Sequence, residues 1–361
     1  MDVSQQRCVL CGGTAFDVKY RFNHFYIPSM ARWLDLSASE TVPEQYLLEC
    51  RSCHLLSLYP LPPRELIEKL HNDPHYGFDR GDEVGSMVFA HDAMETVYKV
   101  RRQQGRLLDI GCSKGMFMAV ARQDGWDATG VDFNPEAIAF AKDVWNLNVH
   151  LGNAEDMGFG DQQFDLITMW DVIEHLPDPL KFLKKIKALL KPGGLLAFET
   201  PNAGSLYAKL RRRYWGWGPH HLYYFTPATI TALLTEAGFA VKLLETPNFN
   251  VLSREGWYRL GLSRDLWMNS IGQKLRHFLF THRNAGWVQH LLHMRQRRRR
   301  LPAHSFHLHV NPEQKRKMLE PWLRAGIPAA NATALLNEPF NVMAEYLHWG
   351  DQLRVVAERR G

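Results

Sequence analysis

The sequence predicts an α/β protein built on a largely parallel sheet with helices on both faces. From position 105 onward, short apolar strands alternate with helices of ten or more residues. These strands are mostly apolar, which favours a parallel sheet covered on both sides. A strand-like segment, GDQLRVVAERR, ends the chain about 100 residues after the preceding strand. The simplest arrangement returns this last strand to the sheet after a long insertion.

Periodicity and turn residues place each element of this alternation. The predicted strands are RLLDIG, ATGVDF, NVHLGN, FDLITMW, GLLAFET and AVKLLET. The predicted helices are GMFMAVARQDG, PEAIAFAKDVW, PLKFLKKIKALLKPGG and PATITALLTEAGF. A further helical pattern runs from about 86 to 104 and ends at Gly105. Right-handed crossovers would connect the parallel strands.

Length and composition indicate a globular protein of one large domain with additions, or of two domains. The 361 residues are 45% hydrophobic and 22% charged, which supplies a sizeable core. The predicted division is a cysteine-rich module at 1–60, a linker with N-terminal helices at 61–104, the core at 105–250, a helical insertion at 251–350 and the last strand at 351–361.

The sequence lacks the usual marks of export and of membrane insertion. MDVSQQRCVLCGG has no apolar segment of the signal-peptide type, and no run of 18 apolar residues occurs. We therefore expect a cytoplasmic protein. The net charge of +5 is mild, so its location matters more than its size.

The glycine-rich turn Gly111-Cys112-Ser113-Lys114-Gly115 has two interpretations. It fits G-x-S-x-G, the turn that presents a nucleophilic serine in α/β hydrolases. A hydrolase needs several strands before that turn, and here it follows the first strand of the series. The alternative is a cradle for a nucleotide-type ligand at a helix N-terminus. Asp132, which ends the next strand about 20 residues later, favours the cradle because an acid there can bind ribose hydroxyls.

Four segments together resemble class I S-adenosylmethionine-dependent methyltransferases. In order they are LLDIGCSKG, GVDFNPEAI, GNAEDMGFGDQQFDLITMWDVIEHLPDP and LLKPGGLLAFETPN. The resemblance covers about 105–245 and the last strand. It implies a Rossmann-like seven-stranded sheet whose last strand is antiparallel and inserted beside the sixth. It also implies S-adenosyl-L-methionine as the cofactor and methyl transfer as the activity.

The same resemblance implies which residues hold the cofactor. Asp132 would bind the ribose hydroxyls, with Phe133 beside the adenine. Asn153 stands where the family often has aspartate at the adenine edge, a departure whose amide can still bond to adenine. The remaining implied contacts are Asp109, Gly111 and Gly115 around the methionine part, Cys112 and Ser113 in the wall of the turn that touches the cofactor, Ala154 beside Asn153, and Trp170 through its backbone carbonyl.

Two C-x-x-C pairs predict a structural zinc site held by Cys8, Cys11, Cys50 and Cys53. A redox pair and free buried thiols are the alternatives. Residues 1–60 contain five Lys plus Arg and six Asp plus Glu, so this module is a poor binder of nucleic-acid phosphates. The ribbon more loosely resembles that of bacterial methyltransferases acting on sugars, surface glycans and secondary metabolites.

A hydroxyl acceptor needs a base, and two segments offer one. Asp171, Glu174 and His175 resemble the acid-x-x-Glu-His segment of quinone-ring O-methyltransferases, where such groups can hold a divalent ion such as Mg²⁺. His175 could instead cap a helix. His220 and His221 follow the fifth strand in the loop that usually covers the acceptor, and each could equally be structural.

The insertion has a basic and aromatic first half, with eleven Lys plus Arg and two Asp plus Glu at 251–300. Such helices bind an anionic membrane surface, bind RNA or cover a homodimer interface, and these alternatives stay open. The expected function is O-methylation of a small molecule, sugar or surface glycan. C-methylation of a nucleotide-linked sugar, and an RNA-binding or RNA-methylating protein, are the alternatives.

Overall fold

The protein folds around two β-sheets, one of seven strands and one of four. The computed structural model describes residues 6–22, 44–63, 65, 83–156, 158–159, 163–205, 208–209, 221–247, 313, 316–317, 320 and 352–361. His220 and almost all of the predicted insertion lie outside these ranges, as do the membrane, RNA and homodimer surfaces predicted there. None of the helices within these ranges is long and apolar enough to cross a bilayer.

From β4 onward the elements follow the order that the sequence predicts, with the short strand β9 added, and strands β1 to β3 form within the cysteine-rich module. The strands are β1 (Phe16–Arg21), β2 (Tyr46–Cys50), β3 (Leu56–Tyr59), β4 (Arg106–Ile110), β5 (Asp127–Asp132), β6 (Asn148–Leu151), β7 (Phe164–Trp170), β8 (Leu190–Pro201), β9 (Tyr223–Tyr224), β10 (Phe239–Glu245) and β11 (Gln352–Arg359). The helices are α1 (Glu83–Tyr98), α2 (Met116–Gln123), α3 (Pro135–Trp145), α4 (Pro179–Leu189) and α5 (Pro227–Glu236), with a 3₁₀ turn at Ile173–His175.

The large sheet has the strand order β10-β11-β8-β7-β4-β5-β6. Strands β4 to β8 pair in parallel. The last strand, β11, lies between β8 and β10 and is antiparallel to both. The predicted fold class is therefore confirmed, including the insertion of the last strand beside the sixth.

Helices cover both faces of this sheet. Successive residues of a strand point to opposite faces, so each apolar strand contributes side chains to both. Leu108 packs into a cluster with side chains of α4 and α5. Its neighbour Leu107 packs into a second cluster with side chains of α1, α2 and α3. Both leucines are fully buried, as the apolar character of β4 requires.

Two predicted helix ends differ from the structure. Helix α4 ends at Leu189 instead of continuing to Gly194, and β8 begins at once. Pro192 disfavours helical geometry at the residue before it, and Gly193 has a φ of +69°, so the helix cannot continue. Helix α1 ends at Tyr98, several residues before Gly105.

The smaller sheet joins the cysteine module to the rest of the protein. Its order is β1-β2-β3-β9, with every pair antiparallel. Strand β9 comes from the segment after β8, so the part of the chain that follows the large sheet's strand β8 supplies one edge of this smaller sheet. Leu47 and Leu58 of the module share a single buried cluster with Leu222 and Phe225. The module therefore packs into the main core.

Candidate cofactor and acceptor site

A cavity of about 440 Å³ opens where β4, β5 and β7 end. The carboxyl ends of parallel strands meet at one edge of a sheet, so residues far apart in sequence converge there. The predicted site residues that line this cavity are Gly111, Ser113, Asp132, Phe133, Asn153, Ala154, Trp170, Asp171 and His175.

Asp132 is fixed by backbone donors from two turns. One carboxylate oxygen accepts from the N–H of Ser113 at 2.9 Å, and the other accepts from the N–H of Asn134 at 2.8 Å. Burial raises the pKa of Asp132 above its ordinary value, and these backbone hydrogen bonds offset only part of that rise. A carboxylate has lone pairs left after two such bonds, so Asp132 can also accept from ligand hydroxyls. Ser113 thus belongs to the cradle, where its backbone has a φ of +47°.

The glycine turn serves two different packing needs. At Gly111, a Cβ would lie 2.6 Å from the Cγ2 of Val172, so glycine lets the loop after β7 come close. At Gly115, a Cβ would lie 2.5 Å from the Cδ1 of Leu147, which packs beneath α2. Gly115 is absent from the cavity wall and is required by packing.

Cys112 also differs from its predicted place. Its side chain is buried, and its Sγ lies 2.8 Å from where a Cβ of Gly130 would be. The thiol therefore points into the core between β4 and β5, and Cys112 does not line the cavity.

Asp109, a predicted cofactor contact, is not among the residues that line the cavity, and its buried carboxyl carries an unsatisfied oxygen. Its Oδ1 accepts from the Oγ1 of Thr168 at 2.7 Å, whereas its buried Oδ2 has no partner among the described residues. Burial raises the pKa of Asp109 to about 7, and the negative charge of Asp132 acts in the same direction. A cationic group placed next to Oδ2 would relieve this cost.

Asn153 and Ala154 line the cavity, and a lysine that the sequence did not reveal holds their loop without lining the cavity itself. The Oδ1 of Asn153 accepts from the N–H of Glu155 at 2.9 Å, which closes a tight turn. From α4, the Nζ of Lys185 donates to the carbonyl of Glu155 at 2.6 Å and to that of Ala154 at 3.2 Å. Lys185 stands in the run LKKIK, which in sequence looks like an ordinary solvated helix face.

Trp170 forms a side wall of the cavity and is held by aromatic contacts. Its ring lies 4.9 Å from that of Phe117 and 5.6 Å from that of Phe89, measured between centroids. Sequence reasoning assigned only its backbone to the cofactor. The structure places Trp170 among the residues of the cavity wall.

A buried polar group lies at the opposite edge. The rings of His175 and His221 are 4.8 Å apart between centroids. The Oε1 of Glu174 is 3.9 Å from the Nε2 of His175, and its Oε2 accepts from the Oγ1 of Thr200 at 2.9 Å. The potential ligand atoms of Glu174, His175 and His221 all lie within 4.8 Å of one another.

This group differs from the predicted set of Asp171, Glu174 and His175. Asp171 lines the cavity but is not among the three residues whose ligand atoms cluster. Asp171 has a φ of +53°, which turns the chain sharply after β7. The third member of the group is instead His221, from the segment that precedes β9. Burial, followed by the charge of Asp171, raises the pKa of Glu174 well above its ordinary value.

Comparison with known proteins identifies the domain that holds this site. Residues 89–244 match the family described as "Methyltransferase domain". These residues form a class I methyltransferase domain. The match covers the cavity, the glycine turn and the Glu174, His175 and His221 group.

The methyltransferase domain has curated relatives that are named as O-methyltransferases. The "Ubiquinone biosynthesis O-methyltransferase" of Coxiella burnetii is 37% identical over 101 residues, which are 27% of this chain and 43% of that protein. The protein of the same name from Haemophilus ducreyi is 29% identical over 170 residues, 42% of this chain and 72% of that one. The chain thus spans less than half the length of the first of these relatives.

Solved structures also resemble the methyltransferase domain. A SAM-dependent methyltransferase from Archaeoglobus fulgidus is 23% identical, and the similarity covers 49% of this chain and 88% of that one with a TM-score of 0.38.

The cysteine module ahead of the methyltransferase domain brings its four thiols together. The Sγ atoms of Cys8 and Cys53 are 3.4 Å apart, those of Cys11 and Cys50 are 3.5 Å apart, and all four lie within 4.8 Å. Zinc–sulfur bonds of about 2.3 Å place the sulfurs of a tetrahedral site roughly 3.8 Å apart. The spacing is compatible with zinc.

The backbone of each cysteine pair forms a tight turn around its thiols. The carbonyl of Cys8 accepts from the N–H of Gly12 at 2.8 Å, and that of Cys50 accepts from the N–H of His54 at 2.9 Å. Gly12 and His54 both have positive φ, +71° and +61°. The two pairs therefore share one local conformation, although only one of them uses glycine there.

Proposed function

We propose that this protein transfers the methyl group of S-adenosyl-L-methionine to a hydroxyl oxygen of a small molecule, sugar or surface glycan. The observation that carries the proposal is the buried Glu174, His175 and His221 group at the edge of the cavity. A hydroxyl acceptor must lose its proton as the methyl arrives, and imidazole is suited to receive it near neutral pH. The curated relatives are named as O-methyltransferases, which also favours an oxygen acceptor.

The cavity has donors and acceptors that suit this cofactor. Asp132 would accept from the ribose hydroxyls, and the unpartnered Oδ2 of Asp109 would receive the ammonium group of the methionine part. Phe133, Asn153 and Ala154 would hold the adenine. The cofactor supplies an activated methyl group on a sulfonium, so the protein has to align the acceptor and handle its proton.

His175 is the proposed general base because it lines the cavity itself. His221 packs against it and is only 5% exposed, so it restricts the orientation of the His175 ring. The Glu174 carboxyl lies 3.9 Å from the Nε2 of His175, close enough to stabilise an imidazolium when ionised. Asp171 also faces the cavity, where it would contribute negative charge near the sulfonium.

The donor set at this edge does not suit Mg²⁺, which the sequence offered as a cofactor. Mg²⁺ prefers oxygen ligands in an octahedral arrangement. Glu174, His175 and His221 offer one carboxylate and two imidazoles. Imidazole nitrogens favour transition metals instead, so this donor set does not fit Mg²⁺.

Cys8, Cys11, Cys50 and Cys53 are the proposed ligands of one structural Zn²⁺. Burial acts to raise the pKa of Cys50, but hydrogen bonds from the backbone of Cys53 and Ser52 bring it to about 7. Four thiolates would complete a tetrahedral shell and leave no open position for substrate. Zinc in this module would therefore stabilise the fold and take no part in methyl transfer.

Incubation with cofactor carrying a labelled methyl group tests the proposed activity. The acceptors would be catechols, sugar nucleotides, glycan fragments and RNA, with products read by mass spectrometry and NMR. We expect the label on an oxygen of a small molecule or glycan. Label on carbon or on RNA would instead support one of the two alternative functions.

A further inference from the structure

We propose that the cysteine module is a positioning element of the reaction site, holding His221 against His175 through the strand pair β3–β9. The role of the two histidines in proton transfer rests on the proposed function. The positional coupling is a separate claim about the fold. It gives the module a task in the reaction other than binding the acceptor.

The first step is a continuous backbone connection from the thiols to β9. The N–H of Cys50 donates to the carbonyl of Leu55 at 3.0 Å, which closes the turn bearing Cys53 and starts β3. In β3, Leu56 pairs with Tyr224 and Ser57 pairs with Tyr223.

The second step is at Leu222, whose backbone is held from both sides. The N–H of Leu58 in the module donates to the carbonyl of Leu222 at 2.8 Å. The N–H of Leu222 donates to the carbonyl of Glu174, also at 2.8 Å. His221 directly precedes Leu222, so its place opposite His175 depends on a backbone anchored to both the module and the 3₁₀ turn.

Side chains strengthen the same connection. The hydroxyl of Tyr223 donates to the carbonyl of Pro177 at 2.9 Å, and the ring of Tyr224 lies 6.2 Å from that of His221. Cys8 and Tyr223 belong to one buried cluster. Movement of the module would therefore reach the residues around His221.

The connection meets the cavity wall at one edge, where His175 and Pro177 line it. None of the described residues of the module, within 6–22 and 44–60, lines the cavity. The cavity is held instead by backbone bonds of the large sheet and its loops, such as Gly111 N–H to Val131 carbonyl and Gly152 N–H to Asp132 carbonyl, both 2.9 Å. Loss of the module's order should change the acceptor side and spare cofactor binding.

Strand β9 needs this support because it has only two residues. So short a strand is marginal without a paired neighbour. The neighbour, β3, is itself four residues long and begins next to the cysteine turn. Metal binding that orders the turn would thereby order β9 and His221.

Hydrogen exchange on the whole protein tests the coupling with Cys11→Ser, which removes an exposed thiol without opening a cavity. Arg51→Ala is the matched control, since it removes only a surface ion pair with Asp17. We expect the amides of Leu58 and Leu222 to exchange about tenfold faster in Cys11→Ser, and those of Gly111 and Gly152 to change less than about twofold. Unchanged exchange at Leu222, or equally faster exchange everywhere, would overturn the proposal.

A second variant makes the test independent of metal. Leu58→Ala loosens the buried residue whose N–H bonds to Leu222, and Leu195→Ala loosens an equally buried residue of the other core cluster. With ¹⁵N-labelled histidine, we expect shifted His175 and His221 resonances in Leu58→Ala but not in Leu195→Ala. Identical spectra in the two variants would contradict the coupling.

The two proposals fail in different ways. If His175→Ala and His221→Ala keep full turnover while Leu58→Ala shifts the histidine resonances, the proposed base is wrong and the coupling stands. If the histidines prove essential and Leu222 is insensitive to Cys11→Ser, the coupling is wrong and the base stands. Cofactor titration by calorimetry should give the same Kd, within about threefold, for Cys11→Ser and wild type.

Discussion

His175 and His221 lie ring against ring, with centroids 4.8 Å apart and ring planes at 63°. His175 comes from the 3₁₀ turn after β7, and His221 comes from the segment that leads into β9. Only His175 reaches the cavity wall. The pair therefore has one member facing the reactants and one behind it.

This arrangement predicts unequal effects of replacing the two histidines. His175→Ala should lower turnover by roughly 10²- to 10⁴-fold, the usual contribution of a general base. His221→Ala should lower it less, since it acts through the orientation of His175. Steady-state kinetics with the acceptor that the labelling experiment identifies measures both. His150→Ala, on an exposed position of β6, is the control and should keep wild-type turnover.

Asp132 is expected to contribute directly to cofactor affinity. Asp132→Asn should weaken binding of S-adenosylmethionine by roughly 1–3 kcal/mol, because it loses a charged acceptor for the ribose hydroxyls. Asp127→Asn, at the exposed start of the same strand, should bind like wild type. Calorimetry giving equal affinities for both variants would remove Asp132 from the site.

Asp109 is expected to trade stability for cofactor binding. Its folded-state pKa of about 7 lies above its ordinary value of 3.8, so the folded protein binds more protons between these pH values. Its contribution to stability therefore falls as pH rises from about 4 to 7, by roughly 4 kcal/mol in total. Asp109→Asn should remove this dependence.

Thermal unfolding at two pH values measures the trade. At pH 8 and without cofactor, Asp109→Asn should unfold at a higher temperature than wild type, and at pH 5 the difference should shrink. The same variant should bind S-adenosylmethionine more weakly at pH 8, because the ammonium group loses its anionic partner. A variant less stable than wild type at pH 8 would show that the carboxylate is better compensated than its contacts indicate.

Lys185 should support cofactor binding from α4. Lys185→Met removes the two hydrogen bonds to the carbonyls of Ala154 and Glu155, so the loop at the adenine end should become less ordered. We expect affinity to fall by roughly 1 kcal/mol, or about fivefold. Lys184→Met alters the neighbouring lysine, which forms a surface pair with Glu236, and should leave the Kd unchanged.

The zinc proposal predicts one metal ion per chain. Cys50→Ser should lose the metal, because it removes a buried ligand of the cluster. Cys112→Ser, which alters the thiol buried outside the module, should retain it. Metal analysis by mass spectrometry gives the stoichiometry, and equal zinc in both variants would place the ion elsewhere.

Sequence patterns were sufficient for the sheet because its signals are local. Apolar strands, capping residues such as Asn134 and Thr226, and the glycine turn each act within a few residues. Asp132 and Ser113 could be predicted for the same reason, since strand ends and the following turn fix their positions. Pro192 and Gly193 were a local signal too, and the predicted end of α4 overlooked it.

Side-chain direction was not available from these patterns. Cys112 lies inside the glycine turn, yet its thiol faces the core, where Gly130 has no side chain and leaves room for it. Gly115 is required because Leu147 fills the space that a side chain would take. Asp171 stands three residues from Glu174 but is turned into the cavity at a φ of +53°. Lys185 has no distinguishing sequence signal, and its partners are two backbone carbonyls of another loop.

The sequence by itself determined the class of fold, the strand ends that form the cavity and the two cysteine pairs. Only the tertiary structure decided that His221 joins Glu174 and His175, and that the cysteine module supplies the strand beside it. A two-residue strand such as β9 has too few positions to show a period. It is held by its pairing with β3, and the residue before it, Leu222, bonds to the 3₁₀ turn. Contacts of this kind depend on where distant segments meet, which no local pattern of residues encodes.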